Sequence, residues 1–265
     1  HQVSPDGRLL AFTVQTVNVT DNTKPQQIYV MPVAGGTPRA ITSIGTANSR
    51  PRWSPDSRRI AFLSDRGGSQ QIWIMDADGL NSRQVTRIST EADGLIFAPD
   101  GNTLLFTSEV YPNCPDEVCN QRRLDEEKAS KVKVRTYTSL LYRHWNTWRG
   151  PRRKHIFAVR LDGGAPRDLT PGPNEAPAYS LGGPDGFAVS PDSKEICFEM
   201  NTDPNPAMST NTDLFTAPIG DGSSENAAPQ PEPRRLSFNN AADASPVYSP
   251  DGRYIAYRAQ AKPGF

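Results

Sequence analysis

Short stretches in which apolar residues take every second position recur along this chain, and each is opened by the same polar turn. The clearest copy is Arg52-Trp53-Ser54-Pro55-Asp56-Ser57-Arg58-Arg59-Ile60-Ala61-Phe62. An aromatic strand end runs into Ser-Pro-Asp, and an alternating strand follows. Further copies carry the turns Ser4-Pro5-Asp6-Gly7, Ala98-Pro99-Asp100-Gly101, Ser190-Pro191-Asp192-Ser193 and Ser249-Pro250-Asp251-Gly252. In the strand after each turn, Leu10, Ile60, Leu104, Ile196 and Ile255 form one column. Phe12, Phe62, Phe106, Phe198 and Tyr257 form another on the same face, at period two. Ala11, Ala61, Leu105, Cys197 and Ala256 lie between them.

The turn residues have physical reasons. Proline presets φ at the second position of a type I turn. Serine at the first can bond the backbone, and glycine is favoured at the fourth. Ser57 and Ser193 occupy that fourth position in two copies, and the pattern expects them to be tolerated there.

The anchoring aspartates are Asp6, Asp56, Asp100, Asp192 and Asp251, spaced by 50, 44, 92 and 59 residues. A period of roughly 40–50 residues made of short strands is a propeller signal. Each complete unit has a second half. Ile28-Tyr29-Val30-Met31 leads to a glycine turn and Ala40-Ile41-Thr42, and Ile72-Trp73-Ile74-Met75 leads to Gln84-Val85-Thr86. Ile156-Phe157-Ala158-Val159 leads to Asp168-Leu169-Thr170, and Leu214-Phe215-Thr216-Ala217 leads to Arg235-Leu236-Ser237. Four antiparallel strands per unit make one blade. The predicted fold is therefore all-β, a β-propeller of four-stranded blades of the TolB/WD40-like kind, with about four to five blades in residues 1–265.

The 92-residue interval contains one blade and an insertion over 109–154. Gln121 to Lys133 is rich in helix formers. Lys131 to Thr138 alternates like a strand, and Leu140-Leu141-Tyr142-Arg143-His144-Trp145 follows. A long insertion on a blade is more often functional than decorative. The chain opens at the first turn and stops just after the second strand of the fifth unit. It reads as part of a larger propeller. The alternative is a four-blade ring closed by its own termini.

Composition narrows the chemistry. With 29 basic and 29 acidic residues the net charge is zero, so no global field recruits nucleic acid or an anionic membrane. No apolar run reaches membrane-spanning length, and 25 prolines with 20 glycines favour short strands joined by turns. No signal peptide is visible, and a leader could have preceded a chain that opens inside a repeat. The sequence contains no Gly-x-Ser-x-Gly elbow, P-loop or Gly-x-Gly-x-x-Gly. Its histidines, His1, His144 and His155, lack metal-ligand spacing. No cofactor or metal is expected.

Cys114 and Cys119 lie in one polar loop, either as a disulfide pinning the start of the insertion or as two free thiols. Cys197 reads as a buried, inert thiol. Arg149, Arg152, Arg153 and Lys154 read as a solvated basic turn beside Trp145 and Trp148. Glu109, followed by Tyr111, stands at a strand exit, where a carboxylate could hold a peptide amino terminus through a charge-assisted hydrogen bond. The other reading is a surface glutamate. Glu199 takes a similar place after Phe198.

Several phrases together are more specific than the turn. They are Phe62-Leu63-Ser64-Asp65-Arg66-Gly67-Gly68, Ser108-Glu109-Val110-Tyr111-Pro112, Leu140 to Trp148, Ser180-Leu181-Gly182-Gly183-Pro184-Asp185 and the ending Lys262-Pro263-Gly264-Phe265. They resemble the N-terminal propeller of bacterial serine peptidases of the prolyl oligopeptidase family, of the dipeptidyl peptidase V and acylaminoacyl peptidase kind. The resemblance implies a propeller that caps an α/β-hydrolase domain with a Ser-Asp-His triad and admits only short peptides. The later blades and the hydrolase domain lie outside these residues, so no catalytic residue is expected here. By the same resemblance, the substrate-anchoring role passes to Glu109, with Tyr111 and Arg143 as neighbours. The implied partners are a peptide substrate and the protein's own C-terminal hydrolase domain. The implied compartment is periplasmic or secreted, and the oligomeric state is left open. The competing reading is a non-catalytic, TolB-like periplasmic interaction propeller.

Overall fold

The computed structural model describes residues 1–264 except 133, 139, 145, 180–185 and 221–229. Four four-stranded antiparallel sheets follow one another along the chain. The first comprises β1 (Gln2–Val3), β2 (Leu9–Gln15), β3 (Gln26–Pro32) and β4 (Arg39–Ala40). The second comprises β5 (Ser49–Trp53), β6 (Arg59–Ser64), β7 (Gln71–Asp76) and β8 (Arg83–Gln84). In the third, β9 (Asp93–Phe97) and β10 (Thr103–Val110) are separated from their partners by an insertion. That insertion carries helix α1 (Glu117–Ala129) and a hairpin of β11 (Arg143–His144) and β12 (Thr147–Trp148). The sheet is then completed by β13 (Arg153–Arg160) and β14 (Arg167–Asp168). The fourth comprises β15 (Phe187–Val189), β16 (Glu195–Met200), β17 (Asp213–Pro218) and β18 (Arg234–Arg235). A two-stranded sheet of β19 (Asp243–Tyr248) and β20 (Ile255–Ala259) ends the chain. The blade plan is thus as the repeat predicts, four complete sheets and one partial one.

The opening turns show why the motif recurs. The serine hydroxyl donates to the aspartate at 2.6 Å in Ser4–Asp6, 2.5 Å in Ser54–Asp56, 2.7 Å in Ser190–Asp192 and 2.6 Å in Ser249–Asp251. The same hydroxyl accepts the backbone N–H that starts the next strand, from Leu9, Arg59, Glu195 or Tyr254. Each carboxylate also accepts the N–H two residues on. One hydroxyl and one carboxylate therefore satisfy the polar groups of a hairpin turn. The fourth turn residue is left-handed in every copy. Ser57 (φ 61°) and Ser193 (φ 60°) adopt the conformation that Gly7 (φ 75°) takes without Cβ strain.

By contact the chain forms two compact units, His1–Phe106 with Ala158–Pro166, and Thr107–Phe157 with Arg167–Phe265. Within the first, Ala11, Ile28, Val30, Trp53, Ile60, Phe62 and Met75 form a continuous core. Phe62, Phe106 and Phe198, from one repeat column, are fully buried. Burial of such apolar area is the main term holding the first sheet to the second.

The insertion departs from expectation in two places. The helix runs Glu117–Ala129, starting four residues before the run of helix formers. Asp116 caps it by accepting the Cys119 N–H at 2.8 Å. The described residues of 131–138 form no strand. Alternation alone makes no strand unless the backbone N–H and C=O groups find a partner. Among the described residues no helix is long and apolar enough to cross a membrane.

Candidate functional site

The candidate site is built where β10 leaves its sheet. Every residue of β10 is buried except Glu109, which is exposed between buried Ser108 and Val110. Immediately beyond, Tyr111 is only 4% exposed. Its N–H donates to Asn120 Oδ1 at 3.0 Å, and its hydroxyl donates to Glu127 Oε2 at 2.6 Å. Asn120, Leu124 and Glu127 share one face of α1 at helical spacing, and Asn120 and Leu124 are buried. Tyr111 thus docks the helix onto the strand exit. Burial, reinforced by the acceptor bond to Glu127, pushes its hydroxyl up to about 12. The Arg123 guanidinium lies 5.0 Å from the ring centroid.

The loop between strand exit and helix is closed by a Cys114–Cys119 disulfide, with Cα atoms 5.3 Å apart. The Cys114 N–H also donates to the Tyr111 carbonyl at 2.9 Å. Cys197 is buried and its thiol is pushed up to about 12, chiefly by desolvation.

Arg143 stands on the hairpin, opposite Trp148. It is on a different element from Glu109 and Tyr111, which bracket Val110. Tyr137, Tyr142 and Trp148 form an aromatic cluster, with ring centroids 5.8 to 6.2 Å apart. The His144 side chain, Trp145 and the phrase Ser180–Asp185 lie outside the described residues.

The basic run is not a solvated turn throughout. Arg149 reaches Glu175 Oε1 at 3.4 Å, and both side chains are only about one-fifth exposed (19% and 22%). Arg153 donates to the Gly150 and Arg152 carbonyls. Desolvation, then the neighbouring Arg149 charge, lowers the Arg153 guanidinium, while Glu175 and Glu109 oppose the shift. Glu109, Glu175, Arg149 and Arg153 therefore share one electrostatic neighbourhood beside the strand exit. Glu175 was not legible in the sequence as part of it, since no spacing ties it to residue 109.

Two other candidates resolve differently. Glu199 is buried and accepts the Ser245 N–H at 2.6 Å, so it organises the next sheet's bulge rather than facing solvent. Burial raises its carboxyl above the ordinary range. His155 has Nδ1 at 2.6 Å from Asp168 Oδ2 on β14 and Nε2 at 3.0 Å from the Gly172 carbonyl in the following loop, so both nitrogens are engaged.

The comparisons with known proteins agree with this architecture. Residues 2–130 match the TolB beta propeller domain model. The chain is 30% identical over 99% of its length to dipeptidyl-peptidase 5 of Porphyromonas gingivalis. It is 26% identical, also over 99%, to dipeptidyl-peptidase 5 of Porphyromonas endodontalis. It spans 37% of the length of each of these relatives. Among solved structures, Pyrococcus horikoshii acylaminoacyl peptidase aligns with a TM-score of 0.61 at 16% identity, covering 94% of this chain and 33% of that one. A putative TolB from Agrobacterium tumefaciens aligns with a TM-score of 0.50 at 19% identity, covering 97% of this chain and 73% of that one. At those identities the structural likeness concerns the fold.

Proposed function

We propose that this chain, whose residues 2–130 match a TolB beta propeller domain and which is similar along nearly its whole length to dipeptidyl-peptidase 5, is the N-terminal gating part of a prolyl oligopeptidase family serine exopeptidase. In this reading the complete enzyme releases dipeptides or acylamino acids from peptide N-termini. The nucleophile, base and oxyanion hole belong to an α/β-hydrolase domain following this segment in the chain, and no cofactor takes part. The propeller restricts entry to short peptides and fixes where the amino terminus rests. That distance decides which bond meets the nucleophile.

The observation that carries the anchoring role is Glu109, one exposed carboxylate on a strand that is otherwise buried. Tyr111 and α1 hold that strand exit in place, and the disulfide limits its movement. A peptide ammonium meeting Glu109 would form a charge-assisted hydrogen bond. Arg143 offers donors to the peptide backbone from the hairpin. Tyr257 is 46% exposed, whereas Phe62, Phe106 and Phe198 of the same column are fully buried, which supports a further blade against the last sheet. A disulfide fits a periplasmic or secreted enzyme.

The test is Glu109→Gln in the full-length enzyme. KM for peptides with a free amino terminus is expected to rise about 10- to 100-fold, the scale of a lost charged hydrogen bond. N-acylated substrates should change little. Unchanged KM on both substrate types removes Glu109 from the site.

A further inference from the structure

Successive sheets are joined by one repeated hydrogen-bonding plan. At each junction a residue at or beside the start of a sheet's third strand meets a residue six positions beyond the hydroxyl that ends the fourth. The pairs are Gln27/Asn48, Gln71/Ala92, His155/Ala176 and Asp213/Asp243. The N–H of each second member donates to the carbonyl just before the first, at 3.0, 3.0, 2.8 and 2.8 Å.

The first junction is satisfied by neutral amides. Asn48 Nδ2 donates to Gln27 Oε1 at 3.0 Å, and Gln27 Nε2 donates to the Gly45 carbonyl. Asn48 Oδ1 accepts from Ser64 Oγ at 2.7 Å and from the Arg66 guanidinium at 3.0 Å. In the fourth junction both partners are carboxylates, which only accept when ionised. The positions of Ser64 and Arg66 are taken there by Ala259 and Ala261, which have no side-chain donor.

Asp213 is 1% exposed and Asp243 0%. Arg235 reaches Asp213 Oδ2 at 2.6 Å, and Asn239 Nδ2 donates to Asp243 Oδ1 at 2.7 Å. Asp213 Oδ1, Asp243 Oδ2 and Asn211 Oδ1 remain, all buried and none with a protein donor. Their residues are neighbours, and Asn211 Nδ2 donates to Asp213 Oδ2 at 3.5 Å. The Asp243 N–H and carbonyl are both bonded to Thr212, the residue between Asn211 and Asp213. Two buried carboxylates against one arginine leave a negative charge, and buried charge is costly unless compensated.

We propose that this junction is a cation site, with Asn211 Oδ1, Asp213 Oδ1 and Asp243 Oδ2 as ligands and calcium as the ion. An all-oxygen donor set suits a hard cation. Calcium accepts irregular, higher coordination, whereas magnesium demands a near-ideal octahedron. No group of three His, Cys, Asp or Glu side chains suited to a metal occurs among the described residues. The low ligand charge places the affinity in the weak range of extracellular calcium modules, about 0.1–1 mM.

Calorimetric titration and thermal unfolding of the full-length protein after EDTA treatment test this. Calcium should bind at this junction and raise Tm by about 2–5 °C when present at about a hundredfold over Kd, with magnesium weaker. Asp243→Asn should weaken calcium binding at least tenfold. In EDTA it should unfold at or above the wild-type Tm, because the new amide restores the donor that Asn48 supplies in the first junction. An exposed control, Asp192→Asn, should retain the wild-type calcium response. Absence of any calcium effect on the wild type overturns the proposal, and this arm stands even if the variant does not fold. A full calcium response in Asp243→Asn would also overturn it.

Discussion

Thr103 Oγ1 donates to Asp100 Oδ2 at 2.7 Å, supplying the hydroxyl that Ala98 lacks. In four of the five turns that hydroxyl comes from the serine ahead of proline. In the third it comes from the first residue of the following strand, and Asp100 Oδ1 still accepts the N–H groups of Asn102 and Thr103 at 2.8 Å. Thr103→Val should therefore cost about 1 kcal/mol, the net value of one hydrogen bond. Adding Ala98→Ser should recover most of it by restoring the arrangement of the other turns. Denaturant unfolding of the single and double variants checks this. Equal losses with and without Ala98→Ser would show that the two hydroxyls are not interchangeable.

The left-handed fourth position gives a second prediction. At Gly7 an added Cβ would meet nothing within 4 Å, so any cost of Gly7→Ala comes from the backbone at φ 75° and should be about 1–2 kcal/mol. Gly150 is equally open and has no positive φ, so Gly150→Ala should be neutral or stabilising. Similar unfolding midpoints for the two variants would contradict the turn assignment.

The disulfide closes a short loop, and the chain-entropy argument assigns it about 2 kcal/mol. Because the loop leads into α1, the effect of Cys114→Ser with Cys119→Ser should be local. Hydrogen exchange should quicken over Glu117–Ala129, while the strands of the first two sheets keep their protection. Uniform acceleration across all sheets would contradict a local role.

Two groups of carboxyls give opposite pH signatures. Asp6, Asp56, Asp192 and Asp251 are held below the ordinary range, first of all by the serine hydroxyl of the same turn. A depressed folded value contributes stability that is complete above the unfolded value near 3.9. It is lost as pH falls through the folded value, so Tm should drop below about pH 4. Glu199 is raised by burial, so its contribution is lost as pH rises from the unfolded value near 4.3 through the folded one. At pH 7 Glu199→Gln should therefore raise Tm, since the amide oxygen can still accept from Ser245. A fall in Tm for this variant would show that the charge itself stabilises the bulge.

The blades were legible because the turn motif fixes both a conformation and a register. Leu10, Phe12 and their equivalents then fall on one face by alternation alone. The insertion was less legible. Lys131 to Thr138 alternates without a partner, and the helix begins at a cap, Asp116, that composition does not weigh. Glu109 was readable as a strand-exit carboxylate. The role of Tyr111 in docking α1 was not, because its burial depends on a helix face assembled from residues 120, 124 and 127. Glu175 and the Asp213/Asp243 pair escaped because their meaning lies in junctions between sheets. For the pair, aligning Gln27 with Asp213, and Asn48 with Asp243 six beyond Thr42 and Ser237, would have exposed two acids where the first junction has two amides.

The most direct test of the peptidase assignment is the coding sequence beyond residue 265. The proposed function predicts further repeats with Ser-Pro-Asp turns, followed by an α/β-hydrolase domain carrying Gly-x-Ser-x-Gly. A stop codon shortly after Phe265, or an unrelated domain in that place, would contradict it.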